Sequence, residues 1–185
     1  MRVAPISFLI QKSPEEVFLL ASEAAALTHG HPSGYLSAGA FAFMIHGLIT
    51  GGDLATLARQ AATHAEGWLG GGETARAILT ALHLGEHPSD HPELDIAKLG
   101  LGWVGEEALA IALYAALVGK NGSDVLAIAA NHDGDSDSTA AIAGNLIGAR
   151  DGLSCLPLDW LKRLDVFDPL CETLPGLIRV ALPSR

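Results

Sequence analysis

The chain has 185 residues, about the size of one domain, and carries a formal net charge of −10 from 11 Lys and Arg against 21 Asp and Glu. Because the few basic residues are scattered, this charge argues against general nucleic-acid binding. Apolar residues make up 49% and charged residues 17%, which argues against disorder, and no apolar stretch reaches the roughly 20 residues that a membrane span needs.

The two cysteines, Cys155 and Cys171, show no metal-ligand spacing and are predicted to be reduced core residues. The first ten residues, MRVAPISFLI, lack the long apolar region and small-residue cleavage site of a signal peptide. Together these features predict a cytoplasmic protein without a membrane partner.

Helix-start signals and apolar residues spaced by three and four predict an all-α chain. Ser13 and Glu16 form a capping box around Pro14, and Asp53 caps a later helix. Residues 85–102 are predicted to be turns, and the first ten residues are the one possible strand. The first three predicted helices begin at Ser13, after Pro32 and at Asp53. Four more cover about residues 73–84, 106–118, 123–130 and 138–149. A short helix ends near Leu164, and the last one covers residues 169–180. We expect residues 1–185 to form a single all-α domain.

The most informative feature is the run Asn131-His132-Asp133-Gly134-Asp135-Ser136-Asp137-Ser138-Thr139, called here the aspartate motif (residues 131–139). Three carboxylates at alternate positions repel one another unless a positive charge holds them. Mg²⁺, Mn²⁺ and Ca²⁺ prefer oxygen ligands from Asp, Ser and Thr. The pattern therefore predicts a hard-cation site, and the alternative is that Asp135 or Asp137 only caps the next helix.

Four segments resemble, in the same order, the ADP-ribosylglycohydrolase family of the dinitrogenase-reductase-activating type. They are MRVAP at the start, Leu27-Thr28-His29, GWVGEEALAIA at residues 102–112, and the aspartate motif with the AAIAGNLIGA that follows it. The resemblance implies an all-α, orthogonal multi-helix bundle with two divalent ions, Mg²⁺ or Mn²⁺, in a cleft. It also implies a hydrolase that cleaves the glycosidic bond between ADP-ribose and a modified acceptor such as an arginine side chain.

The same resemblance implies roles for individual residues. The metal ligands would be Asp135, Asp137 and Ser138, and His29 would lie near the ADP-ribose. The pocket for the nucleotide end would be lined by Gly102, Trp103 and Val104. The ions would position ribose hydroxyls and lower the pKa of a bound water, which attacks an oxocarbenium-like transition state. The expected partner is an ADP-ribosylated protein or a small ADP-ribose derivative.

The chain departs from the family pattern in one respect. Family members carry an N-terminal Thr-Asp-Asp run of metal ligands, whereas this sequence has no Asp-Asp pair. We therefore expect a C-terminal portion of the fold that lacks the N-terminal helices and half of the metal ligands. A second hypothesis follows: a catalytically incomplete helical module that binds ADP-ribose or a partner chain without turnover. Uncovered apolar helix faces would then favour a homo-oligomer or a complementing N-terminal half.

Other polar residues near these segments have structural interpretations. His31 is predicted to belong to a cap or loop between two helices. Glu106 and Glu107 begin a helix, where negative charge is favourable. His132 could orient an aspartate or serve a purely structural role, and the sequence leaves both open.

Overall fold

The computed structural model describes residues 1–181, and within them the fold is all-α, with ten α-helices and no strand. Short 3-10 helices cover Ala4–Phe8 and Leu153–Cys155. The α-helices are α1 (Pro14–Ala26), α2 (Pro32–Ile49), α3 (Leu54–Glu66), α4 (Gly72–Glu86), α5 (Pro92–Leu99), α6 (Gly105–Val118), α7 (Gly122–Ala130), α8 (Ser136–Asp151), α9 (Leu158–Leu161) and α10 (Phe167–Ala181). The predicted all-α class is confirmed.

Helices α2 and α6 form the centre of the core. Residues 108–116 of α6 are buried without interruption, so neighbours surround this helix on every side. Helix α2 packs against α1, α3, α6 and α8. Both helices are apolar around their whole circumference, which is typical of helices in a protein interior. Their first turns nevertheless reach the surface, where the candidate site lies.

The predicted helix starts are confirmed. Ser13 Oγ accepts a hydrogen bond from the Glu16 N–H at 3.2 Å, and the Glu16 carboxylate accepts one from the Ser13 N–H at 2.8 Å. Asp53 caps α3 by accepting a hydrogen bond from the N–H three residues later. His31 caps α2 through Nδ1, as its predicted place between two helices suggests. These contacts are local, so they could be predicted from sequence spacing.

Two sequence-based predictions of local structure are wrong. Residues 85–102 are not all turns, because α5 begins at Pro92, a first-turn position that tolerates proline, and buries Ile96 and Leu99. The possible strand in the first ten residues is a 3-10 helix. It is tied to α2 by the buried His46, whose Nδ1 donates to the Ser7 carbonyl at 2.9 Å.

None of the helices over residues 1–181 has both the length and the apolar character that a membrane crossing requires.

The C-terminal helices lie outside the central core: most side chains of α9 and α10 are exposed, and α10 contacts the first 3-10 helix.

A buried carboxylate joins α5 to α6. The Asp95 side chain is 1% exposed and accepts hydrogen bonds from Lys98 Nζ at 2.8 Å, the Ser89 N–H at 2.9 Å and the Tyr114 hydroxyl at 2.9 Å. Burial alone raises the pKa of Asp95, but the hydrogen bonds from Lys98, Ser89 and Tyr114 outweigh it and hold the pKa well below its usual value. Burial, followed by the neighbouring Asp95, raises the pKa of Tyr114.

We expect Asp95→Asn to lower the free energy of unfolding near neutral pH by about 2 kcal/mol. The carboxylate accepts three hydrogen bonds, and the neutral amide that replaces it accepts them less strongly. The pKa of Asp95 is lower in the folded state than its unfolded value of about 3.9, so its contribution is present above that value and is lost as the pH falls below about 4. Urea unfolding across this pH range measures both effects.

Asp90→Asn, at an exposed position in the loop before α5, is the matched control and should behave like the wild type. An unchanged pH slope in Asp95→Asn would contradict this account of the buried network.

Candidate functional site

A cleft of about 790 Å³ opens between the end of α1 and the first turns of α2, α6 and α8. Six residues predicted from the sequence line it: His29, Gly102, Trp103, Val104, Asp135 and Ser138. Asp137, also predicted, is exposed and lies beside Asp135 rather than in the lining. The fold thus gathers three distant segments around one cavity.

Residues 100–104, called here the tryptophan loop, contact the aspartate motif backbone to backbone. The Asp135 N–H donates to the Leu101 carbonyl at 2.8 Å. Gly134 makes this approach possible, because a Cβ at this position would lie 1.7 Å from that carbonyl oxygen. Gly102 is buried with φ +80°, and its own Cβ would lie 2.9 Å from Thr139 Cγ2. Both glycines are therefore required for the two segments to meet.

Glu107 holds the tryptophan loop from the other side. Its Oε2 accepts hydrogen bonds from the N–H groups of Leu101 and Gly102, both at 3.1 Å. The glutamate therefore does more than place negative charge at a helix start. It is the hydrogen-bond acceptor for two backbone N–H groups of the tryptophan loop, those of Leu101 and Gly102.

Asp135 occupies the N-cap position of α8. Within residues 1–181, however, its side chain accepts no capping hydrogen bond. The Asp135 side chain also lines the cleft. The Ser138 side chain, followed by that of Asp137, lowers the pKa of Asp135. The backbone N–H of Ser138 is one of the groups that lower its pKa, so capping stays the alternative interpretation of Asp135. Asp135 is therefore ionised at neutral pH and presents a negative charge to the cleft.

His132 makes hydrogen bonds that hold the aspartate motif, and it is also one of the groups that lower the pKa of Asp135. Its Nδ1 accepts a hydrogen bond from the Gly134 N–H at 3.1 Å, so a neutral ring carries its hydrogen on Nε2. Nε2 lies 2.9 Å from the Thr139 hydroxyl, which in turn donates to the Ala129 carbonyl at 2.6 Å. This chain of hydrogen bonds fixes the aspartate motif against the end of α7.

The basic groups of the cleft come from a different part of the chain. Arg2 donates from Nη2 to the Thr28 hydroxyl at 2.7 Å and to the Ala24 carbonyl at 3.3 Å. The same hydroxyl lies 2.8 Å from His29 Nδ1. Sequence reasoning did not identify Arg2 as a lining residue: the MRVAP segment supported the family resemblance, but only folding brings Arg2 beside α1.

Two further carboxylates, Glu73 and Glu106, line the cleft without having been predicted as site residues. Glu73 lies on the first turn of α4, with its Oε2 3.8 Å from His31 Nδ1. Glu106 lies on the first turn of α6. Glu73 stands at a predicted helix start, and Glu106 was interpreted as a helix start too, although it lies in the family-like segment of residues 102–112.

The donor set permits a test of whether a hard cation fits. Asp135, Asp137 and Ser138 supply two carboxylates and one hydroxyl, and Mg²⁺ is often bound by one or two carboxylates while keeping several waters. These three residues therefore fit one hydrated ion. Within residues 1–181, no group of three or more His, Cys, Asp or Glu side chains is arranged to hold a metal.

We expect Glu107→Ala to loosen the tryptophan loop, because the N–H groups of Leu101 and Gly102 lose their acceptor. Hydrogen exchange at these two amides should become about tenfold faster, the equivalent of one hydrogen bond. Glu107→Gln keeps an acceptor oxygen and is the matched control. Equal protection of both amides in the alanine variant and the wild type would rule out this role for Glu107.

Comparison with known proteins agrees with the geometry. A family model described as ADP-ribosylglycohydrolase matches residues 1–183. The chain is also similar to ADP-ribosylarginine hydrolase Tri1 of Pseudomonas putida (strain GB-1), with 40% identity over 58 residues. That segment is 31% of this chain and only 16% of the relative's length. Because the family model spans nearly all 185 residues, the chain belongs to the ADP-ribosylglycohydrolase family.

Proposed function

We propose that the chain is a divalent-metal-dependent hydrolase that cleaves the glycosidic bond between ADP-ribose and a modified acceptor such as an arginine side chain. The observation that carries the proposal is the single cleft that joins Asp135 and Ser138 to His29 and Trp103. Membership of the family supports it, as does the similarity to a relative named ADP-ribosylarginine hydrolase. The cleft volume of about 790 Å³ is within the usual range for small-molecule sites.

The metal-binding residues of this proposal are Asp135, Asp137 and Ser138, with Mg²⁺ or Mn²⁺ as the ion. When bound, the ion would stabilise developing negative charge and orient ribose hydroxyls. Asp135 contributes its own negative charge, which favours the positive, oxocarbenium-like ribose of the transition state.

The nucleotide end binds along the tryptophan loop in this proposal. Trp103 is 67% exposed, so in this proposal its indole ring stacks against adenine. Val104 extends this apolar wall, and Gly102 lets the backbone approach the ligand. Arg2 supplies positive charge on the side of the cleft formed by α1, and Arg2 and His29 there supply hydrogen-bond donors that suit a diphosphate.

The reaction adds water across one bond. The bond between the ribose anomeric carbon and the acceptor breaks with its electron pair leaving on the acceptor. The water oxygen bonds to that carbon, and the proton released by the water ends on the acceptor. The products are free ADP-ribose and the unmodified acceptor.

A second candidate function is favoured by one observation. Within residues 1–181 no group of three or more His, Cys, Asp or Glu side chains is arranged to hold a metal, so the proposed ion site has two carboxylates and one hydroxyl as its protein ligands. The alternative is a helical module that binds ADP-ribose in the same cleft without turnover, or that needs a second chain to supply further carboxylates. The two functions share the ligand and differ in turnover.

We expect hydrolysis of ADP-ribosyl-arginine to require Mg²⁺ or Mn²⁺ and to fall by about 100-fold or more in Asp135→Ala, because the variant loses charge at the reacting ribose. Release of ADP-ribose, followed by chromatography with and without a chelator, measures this. Asp133→Ala is the matched control, since Asp133 is exposed in the same motif and is absent from the cleft lining.

Calorimetry with ADP-ribose separates the two functions. Binding without release of ADP-ribose from the modified arginine would favour the non-catalytic module. Equal rates in the Asp135 and Asp133 variants would refute the role of Asp135, and a wild-type chain that neither binds nor hydrolyses would refute both functions.

A further inference from the structure

Two histidines at the end of α4 lie beside each other on the surface of the protein. His83 is in the last turn of the helix and His87 is at its C-cap, and both are exposed. Their ring centroids are 5.4 Å apart, and the ring planes are inclined at 66°. Neither residue lines the cleft, so the pair is separate from the candidate site described above.

The helix backbone sets this arrangement. Side chains four residues apart lie on the same face of an α-helix, one turn above the other. The relation extends to the C-cap, because the His87 N–H donates to the His83 carbonyl at 3.2 Å. The opposite face of this turn is packed on α6, since a Cβ at Gly85 would lie 2.9 Å from Leu117 Cδ1. The two rings therefore project from a turn whose position is fixed.

The other histidines of the chain have partners within the protein. The rings of five of them hydrogen-bond to protein groups: His29, His31, His46, His91 and His132. His64 packs edge to face against the ring of Phe18. Within residues 1–181, the rings of His83 and His87 make no hydrogen bond to the protein and contact each other instead. Their nitrogens are therefore open to a ligand from solvent.

The position at a helix end does not by itself explain the pair. A positive side chain near a helix C-terminus is favourable, but two positively charged rings at this distance would repel each other. Glu86, between the two in sequence, does not join them, because its carboxylate is paired with Arg59 of α3. What suits two neutral imidazoles side by side is a cation that both can bind.

The spacing of the rings matches that of two imidazoles on one metal ion. Zinc binds histidine nitrogen at about 2.0–2.1 Å in tetrahedral geometry, which places the centroids of two bound rings about 5.2 Å apart. The observed separation of 5.4 Å is close to this value. Imidazole nitrogen suits Zn²⁺, Cu²⁺ and Ni²⁺, whereas Mg²⁺ and Mn²⁺ prefer oxygen ligands. Two histidines four residues apart on one helix face are also the pair by which zinc-binding helices hold their ion.

We propose that His83 and His87 form a binding site for one transition-metal ion of the Zn²⁺ class. Within residues 1–181, no group of three or more His, Cys, Asp or Glu side chains is arranged to hold a metal, so water completes the coordination and the ion is exchangeable. The bound ion ties the last turn of α4 to its C-cap, next to the loop that leads to α5. The site makes no use of the cleft and is independent of the proposed function.

Calorimetric titration of the full chain with Zn²⁺ tests the proposal, with Mg²⁺ in large excess to occupy sites made of oxygen ligands. His83→Ala and His87→Ala should each weaken Zn²⁺ binding by at least about tenfold. Loss of a residue that only orients a metal ligand typically costs roughly 10–100-fold, and loss of a ligand itself should cost no less. Because both side chains are exposed, thermal unfolding of the variants without metal should match the wild type.

Hydrogen exchange provides a second readout that locates the ion. Zn²⁺ should slow exchange of the His87 N–H, because the ion closes a ring around its hydrogen bond to the His83 carbonyl. This slowing should be absent in His83→Ala. His91→Ala is the matched control, since His91 is exposed at the N-cap of α5 and its ring contacts Glu93. The control should bind Zn²⁺ like the wild type.

Three results would overturn the proposal. They are an unchanged Zn²⁺ affinity in both His83→Ala and His87→Ala, an equal loss in His91→Ala, and displacement of the bound Zn²⁺ by Mg²⁺. Asp135→Ala should bind Zn²⁺ at α4 like the wild type. Failure of the α4 site therefore leaves the proposed hydrolase untouched, and failure of the hydrolase leaves the α4 site untouched.

Discussion

The candidate site depends on one backbone hydrogen bond, from the Asp135 N–H to the Leu101 carbonyl. It forms because Gly134 carries no side chain at the point of closest approach. Through it the tryptophan loop and the start of α8 become two sides of one cleft, although about thirty residues of chain separate them. Glu107 and the hydrogen bonds of His132 hold the two sides in place. The site is therefore built on anchored loops at the ends of core helices, a rigid base for ligand binding.

Two adjacent glutamates on α6 show how position in the fold separates residues that are alike in sequence. Both lie in the first turn, where negative charge interacts favourably with the helix dipole. Glu107 satisfies backbone donors and maintains the loop, whereas Glu106 lines the cleft with a buried oxygen that has no partner within residues 1–181. The difference arises because successive residues of a helix point about 100° apart.

Much of the fold could be predicted, because its signals are local. The capping box at Ser13 and the cap at Asp53 involve atoms three residues apart, which sequence spacing specifies directly. Helix α5 was missed because its stability comes from distant contacts: Asp95 is held partly by Tyr114 of α6, nineteen residues away. Arg2 was missed for the same reason, since only folding brings it beside α1.

By itself, the sequence determined the all-α class, most helix starts, the resemblance to the ADP-ribosylglycohydrolase family and a set of candidate residues. These follow from periodicity, capping and short motifs, all of which are properties of neighbouring residues. Only the tertiary structure decided which candidates share a cleft. It placed Asp135 and Ser138 in the lining, left Asp137 exposed beside them, and added Arg2, Glu73 and Glu106. Helix packing decides this, because side chains meet across helices whose contacts are not encoded in local spacing.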